Sequence, residues 1–457
     1  MRVLNSVSIL YFADAKLQYE RESKKPLGFA KHQAITFVVI SVRERRTDDV
    51  PSLFCARLNI GKLFLTFKYP MQSPPATFAT APPLEVWVSR EMLFSDTDIR
   101  PCPLLMHLSE PDTDAQTRFW NPLRERLPQL VRVHYFDDIG QAGPLVVVPH
   151  DAKEWIWKKS SGELQSTIRR FLASGRTVVT FATGIEYQAQ PGEIVFASSV
   201  YQTPGETNIP LPSWLYDIGQ SVTPISKPAQ PNITFRGNTK YSGLISNLMG
   251  ALPIPDAWMH RMASDRWLNR KLALRFRFGI ARLLRQRVVR HVGEADNVVS
   301  DLVELGNYFS FTEAEQVAAK ASYLRSIQEH AYVLCIRGDT NGDYRTYEVL
   351  SAGRIPVIID TKLQFPALEG MEWSDFALVV PLAELRNIGQ LIEDFHDRLT
   401  DSAFRHKCRL ARTAFEQLLP ERYIDRIISK ITMHMRQPDS RKNRRKTALP
   451  ILEAVLQ

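Results

Sequence analysis

A chain of 457 residues with 44% hydrophobic and 23% charged residues has room for two to three domains at about 150 residues each, which excludes a single small module and a mainly disordered chain. No apolar run approaches the roughly 18 residues of a membrane-spanning helix; the strongest, Ile35 to Val42 and Pro144 to Val148, have strand length. The formal charge of +9 is local: ten Lys/Arg stand against Asp265 from Arg261 to Arg290, six stand against Asp439 from Arg436 to Lys446, and the rest of the chain is net negative.

Along the chain, the first twenty residues hold Arg2, Asp14 and Glu20 without a long apolar stretch and a small-residue cleavage site. No secretory signal is read there, and a cytoplasmic location is expected. Residues 1–69 contain two strand-like runs, Ile35 to Val42 and Leu63 to Tyr69, with no helical alternation and no assignable role. Residues 70–83 hold Pro70, Pro74, Pro75, Pro82 and Pro83, whose missing N–H donors disfavour helix and sheet, so they read as a linker. The compact protein is therefore expected to begin near Leu84, with the preceding segment an appendage or a misassigned gene start.

From Leu84 the pattern becomes regular. Strands are expected at Leu84–Val88, Val131–Phe136, Leu145–Val148, Thr177–Phe181, Ile194–Ala197 and Ile233–Phe235, with helices at Asp114–Leu127 and Glu163–Leu172. Short β-branched runs alternating with helices predict a parallel sheet covered on both faces, hence a Rossmann-like domain over residues 84–245. A second α/β domain is predicted over 246–435. It opens on a basic amphipathic helix (Ala257–Val289) and continues with helix Glu313–Glu329, strand Tyr332–Ile336, helix Tyr344–Ala352, strand Ile355–Ile359 and helices Pro381–Leu399 and Ser402–Leu419. Residues 436–457 form a basic tail. The fold class is thus α/β, two Rossmann-like domains whose sheets turn their carboxyl ends to a cleft, where ligands of such sheets bind. The four cysteines, Cys55, Cys102, Cys335 and Cys408, lack metal or redox spacing and are expected to be free thiols.

Residues 331–366 carry the chemistry. A buried strand ends at Ile336, and Arg337, Gly338, Asp339, Thr340, Asn341 and Gly342 form a flexible loop that Asp343 closes as N-cap of the next helix. Free N–H groups at the helix start, two glycines and Arg345 in the first turn outline an anion site. Glu348, three residues on, shares the helix face with Arg345. A cation for a diphosphate beside an acceptor for sugar hydroxyls suits a nucleotide sugar; an ordinary strand-loop-helix with a surface Arg–Glu pair is the plainer alternative.

The order Tyr323-Leu324, Leu334-Cys335, Arg337-Gly338, Arg345-x-x-Glu348, Gly353-x-Ile355-Pro356-Val357-Ile358-Ile359, Pro366 and Trp373-x-x-Phe376 resembles the signature of the exostosin-like glycosyltransferases. Leu145 to Pro149 and Phe235-Arg236-Gly237 are similar, more loosely, to a strand ending in proline and an F-x-G segment between domains. The resemblance implies the GT-B architecture and an inverting transfer from a nucleotide-sugar donor to a glycan or lipid-linked acceptor. No metal and no cofactor are implied. Arg345 would contact the donor diphosphate and Glu348 the sugar or ribose, with Arg337 and Gly338 lining the loop. Without a metal, the leaving diphosphate would be stabilised by Arg345, the helix end that Asp343 caps and Arg236. Eukaryotic members usually carry a membrane anchor not seen here, so a cytoplasmic, bacterial enzyme of polysaccharide biosynthesis is expected.

Such a mechanism needs a base from the first domain. Asp151, with His150, follows a strand directly and so stands at a sheet's carboxyl end; Asp137, Asp138 and Glu186 are rivals. Each is otherwise an ordinary loop residue. Leu268, Leu272, Phe276, Ile280 and Leu283 give the basic helix an apolar stripe, with Arg270, Arg277, Arg282 and Arg285 around it. That helix suits an anionic membrane surface, an acidic polysaccharide, or simple packing with solvated arginines. The competing functions are a non-catalytic membrane- or nucleic-acid-binding adaptor and a retaining GT-B transferase. No nucleic acid is expected as partner, because no RNA-binding or helix-turn-helix motif is visible.

Overall fold

The computed structural model describes residues 82–94, 99–114, 116–203, 205–239, 258, 280–305 and 312–436. The chain divides into two units, Met1–Ala81 and Pro82–Gln457. The expected strands before residue 70, most of the Pro-rich stretch, most of the basic helix and the basic tail lie outside the described residues.

In the first lobe the elements are β1 (Leu84–Ser89), α1 (Asn121–Leu130), β2 (Val131–Phe136), β3 (Leu145–Val147), α2 (Ala152–Lys158), α3 (Ser161–Ala173), β4 (Thr177–Ala182), β5 (Glu193–Ala197) and β6 (Ile209–Pro210). They form a parallel six-stranded sheet in the order β2-β1-β3-β4-β5-β6. Every residue of β3, β4 and β5 is buried, as parallel strands covered on both faces require. The helix expected from Asp114 starts only at Asn121, with Pro122 in its first turn, where a missing N–H costs nothing.

The second lobe contains β7 (Asn232–Asn238), α4 (Ile280–Gly293), β8 (Val299–Leu305), α5 (Glu313–Glu329), β9 (Tyr332–Cys335), α6 (Tyr344–Ser351), β10 (Ile355–Asp360), β11 (Leu378–Pro381), α7 (Ile388–Asp397), α8 (Asp401–Gln417) and α9 (Pro420–Arg436). Its sheet is parallel in the order β11-β10-β9-β7-β8. This corrects the domain boundary expected at residue 245: the run Ile233–Phe235 belongs to the second sheet, between β8 and β9. A buried apolar run can join either sheet, and its partner β8, a half-exposed edge strand, carries no strong apolar signal of its own.

A second correction concerns the end of the chain. α9 returns to the first lobe, where Arg126 donates to both carboxylate oxygens of Asp425 at 2.9 and 2.8 Å and Tyr423 Oη donates to the Pro210 carbonyl at 3.0 Å. Its apolar face, Tyr423, Ile424, Ile427 and Ile431, is buried with Leu105, Leu123 and Leu127 of that lobe. Two α/β lobes bound in this way make a GT-B architecture. Cys102, Cys335 and Cys408 are free thiols, and burial pushes each up from the ordinary thiol range. No described helix is long and apolar enough to cross a membrane.

Candidate active site

The loop after β9 meets the carboxyl ends of β4 and β5. The Asn341 N–H donates to Ser199 Oγ at 3.0 Å, and the Asn341 side chain exchanges hydrogen bonds with Thr361 at the end of β10. A Cβ on Gly342 would lie 2.6 Å from the Ser198 carbonyl oxygen, so only glycine allows the two lobes to touch here. The Gly338 N–H donates to the Gly342 carbonyl at 3.3 Å. The loop expected to be flexible is therefore a tied, partly buried turn, with Arg337 and Asn341 buried and Asp339 exposed. Gly338 itself closes the turn through its backbone, and a Cβ there would make only ordinary contacts, the nearest at 3.4 Å.

Arg337 does not face a ligand space. Its side chain is 1% exposed and donates to Tyr201 Oη at 3.3 Å and to Glu186 at 3.4 Å, both in the first lobe. Glu186, weighed as a base, also accepts from Tyr201 at 2.6 Å and so completes an interlobe tie. Asp343 is the N-cap of α6, as expected. Its Oδ1 accepts from the Arg345 N–H at 3.1 Å and its Oδ2 from Thr346 Oγ1 at 3.4 Å, so the carboxylate is spent on its own helix and is no ligand for an anion.

Arg345 and Glu348 lie together, as their spacing requires. The Arg345 guanidinium sits over the rings of Phe235 (4.6 Å) and Tyr323 (5.7 Å), and its Nη2 donates to the Arg236 carbonyl at 2.6 Å. Its Nε and Nη1 are buried without an acceptor among the described residues. Unmet donors of this kind cost about 1–3 kcal/mol each, so the group is arranged for an incoming anion. Glu348 Oε2 accepts from Tyr323 Oη at 2.5 Å. Burial pushes the Glu348 carboxyl up, against the Tyr323 hydrogen bond and the Arg345 charge. Lys320, 5.2 Å over the Tyr216 ring, adds a second positive charge near it.

The Arg236 side chain does not reach this site. Alternate residues of a strand face opposite ways, so Thr234 and Arg236 share one face of β7 and meet Asp301 of β8, at 3.3 and 2.6 Å. Phe235 and Gly237 share the other face with Arg345. A Cβ on Gly237 would lie 2.7 Å from the Phe235 ring and 3.1 Å from Arg345 Nη2. Gly237→Ala is therefore expected to push the guanidinium out of place. Nucleoside-diphosphate binding should be lost in calorimetry, and the unfolding free energy should fall by about 1–3 kcal/mol.

Arg285 of α4 was read from the sequence only as part of a basic stripe. It turns inward: Nη1 donates to the Asn238 carbonyl at 3.2 Å, Nε is buried without an acceptor among the described residues, and Nη2 lies 3.8 Å from a Cβ built on Gly338. Burial, then the charge of Arg345, pulls it down to about 10. A readable signal existed, since Arg285 falls at i+4 from buried Ala281 on the face that carries Val288 and Val292. Two guanidinium groups drawn together in a desolvated place repel unless an anion sits between them.

In the first lobe, Asp151 is the N-cap of α2. Its Oδ1 accepts from the Lys153 N–H at 2.8 Å, and its Oδ2 accepts from Thr183 N–H (2.9 Å) and Oγ1 (2.8 Å). Three of about four lone-pair positions are used and one on Oδ1 remains. Burial raises the carboxyl to about 6, against these hydrogen bonds and the Lys153 charge. His150 is not part of a catalytic pair. It is buried, with Nε2 accepting from the Phe94 N–H at 3.2 Å and Nδ1 within 3.3 Å of the Arg100 carbonyl, so both nitrogens serve the fold. Burial pushes its pKa down, which keeps it neutral. Asp137 pairs with Arg90 on the exposed surface and Asp138 caps a short turn through Gly140, so neither enters the site. Among the described residues, no group of three His, Cys, Asp or Glu side chains could hold a metal ion.

No curated protein matches the chain. Among solved structures, a glycosyltransferase from Rickettsia africae is 8% identical with a TM-score of 0.32, covering 77% of this chain and 99% of its own. HepE from Anabaena, solved with UDP-glucose, is 12% identical with a TM-score of 0.31, over the same shares. TarM is 8% identical with a TM-score of 0.32; the match covers 62% of this chain and spans 54% of TarM's length. Residues 252–395, which hold Arg285, Arg337, Arg345 and Glu348, match the family model of the Exostosin GT47 domain.

Proposed function

We propose that the protein transfers a sugar from a nucleotide-diphosphate donor to a glycan or glycoconjugate acceptor, with inversion and without a metal ion. One observation carries this reading: Arg345 and Arg285 bring buried guanidinium N–H groups that have no acceptor among the described residues to the same helix end, in the domain that matches the exostosin family. Fixed donors aimed at a growing negative charge cost no reorganisation when the C–O bond to the diphosphate breaks. Glu348, oriented by Tyr323, accepts from a ribose or sugar hydroxyl. Across the lobe boundary Asp151 takes the acceptor proton through its remaining lone pair, and the new oxygen–carbon bond forms as the diphosphate leaves.

The reading places the enzyme in the cytoplasm. An anionic membrane surface is a further partner through the stretch Arg261 to Arg290, where nine Lys/Arg remain to supply the attraction with Arg285 withdrawn into the site. A thermal-shift panel of nucleoside diphosphates and nucleotide sugars tests the proposal. A ligand bound only by the native state raises stability by RT ln(1 + [L]/Kd), about 2.7 kcal/mol at a hundredfold excess over Kd. A panel without any stabilising nucleotide would reject the donor site, and the anomeric configuration of the product separates inversion from retention.

A further inference from the structure

Tyr344, the first residue of α6, is 53% exposed. A single exposed tyrosine is ordinary on a protein surface; its surroundings are not. Its Oη lies 3.8 Å from where a Cβ on Gly184 would stand, just past the carboxyl end of β4. The ring thus reaches from the helix of one lobe to the strand ends of the other. Its phenol is pushed up by burial first and by the charge of Asp151 second, so the hydroxyl stays protonated. The ring is half open to solvent, and its hydroxyl end faces the other lobe, so it borders the space between the lobes. Gly184 has φ +65°, which excludes most side chains from that place and keeps the far end of the ring clear.

The donor reading fixes what must lie beside this ring. With the diphosphate at Arg345 and Arg285 and the proton acceptor at Asp151, the reacting anomeric carbon has to sit between them. Tyr344 directly precedes Arg345, and its hydroxyl lies beside Gly184, whose neighbour Thr183 is hydrogen-bonded to Asp151, so it borders that interval. We propose that the Tyr344 ring is the platform on which the transferred pyranose of the donor lies, and that it is a specificity-determining residue for that sugar. The inference rests on the donor reading above. An aromatic face carries negative quadrupole charge and attracts the electropositive C–H face of a pyranose, and the phenol O–H can donate to a ring hydroxyl.

The test needs no acceptor. Calorimetric affinities of UDP and GDP are compared with those of UDP-glucose, UDP-galactose, UDP-N-acetylglucosamine and GDP-mannose for wild type, Tyr344→Ala, Tyr344→Phe and Arg345→Ala. Tyr344→Ala is expected to weaken the preferred nucleotide sugar about tenfold while leaving its bare diphosphate unchanged. Tyr344→Phe should keep most of the affinity, and Arg345→Ala should lose both ligands. Equal loss of sugar nucleotide and diphosphate in Tyr344→Ala, or no loss of either, overturns the platform while the donor site stands. A wild type that binds none of the probes removes the donor reading and the platform with it. Alanine is a good helix former at an exposed first position, so the variant's unliganded unfolding temperature should match wild type.

Discussion

Arg345→Ala should lower turnover by about a hundredfold or more and abolish the stabilisation that a nucleoside diphosphate gives the wild type. The unliganded protein should hardly change in stability, because two opposing effects meet at this residue. Truncation leaves the Arg236 carbonyl without its donor, but it also removes two buried N–H groups that have no acceptor among the described residues. Functional residues often carry this kind of cost in the free protein. Arg345→Lys should not restore activity, since an ammonium cannot stack on Phe235 and present a fork at the same time. Glu348→Ala should likewise abolish transfer, with Tyr323 Oη left without its acceptor. Turnover near wild type in both alanine variants would remove the site assignment.

Asp151→Asn should reduce kcat by about 10²–10⁴-fold and leave nucleoside-diphosphate affinity unchanged. Asparagine still caps α2 through its one oxygen, but its amide nitrogen replaces the oxygen that accepts from Thr183, so a fall of about 1–3 kcal/mol in unfolding free energy is expected beside the loss of turnover and is measured with it. Asp151→Ala would also forfeit the cap, at about 1 kcal/mol, and is the poorer probe. The wild-type rate should fall as pH drops through about 6, because a base must be ionised to act. The linkage has the opposite sense for stability. The folded-state value lies above the ordinary 3.8, so burial of the neutral carboxyl stabilises the protein at low pH, and this contribution is lost as pH rises from about 4 through about 6. A rate independent of pH across this window, or full activity in Asp151→Asn, would exclude Asp151 as the base.

Much of the site could be read from local patterns. The Arg345-x-x-Glu348 pair shares a helix face because of the helical repeat, the Asp343 cap follows from its place before the helix, and Phe235-x-Gly237 faces one way because strands alternate. These are properties of a few consecutive residues. The buried β-branched strands that make both lobes parallel α/β units are legible for the same reason.

What only the tertiary structure decided lies in contacts between segments far apart in the chain. Whether β7 joins the first or the second sheet depends on β8 and β9, which follow it by dozens of residues. The Arg236 side chain, a plausible anion ligand by its motif, is claimed by Asp301, 65 residues away. Arg337 is claimed by Glu186 and Tyr201, 151 and 136 residues away, and so ties the lobes together. Amphipathic spacing says which face of α9 is buried but not that it lies against α1 of the other lobe. Composition and periodicity determined two parallel α/β lobes and the loop–helix that holds Arg345 and Glu348. Which arginine N–H groups lack an acceptor among the described residues, and which arginines are taken up by carboxylates, was decided by packing, because a charged side chain takes its role from whatever distant partner reaches it first.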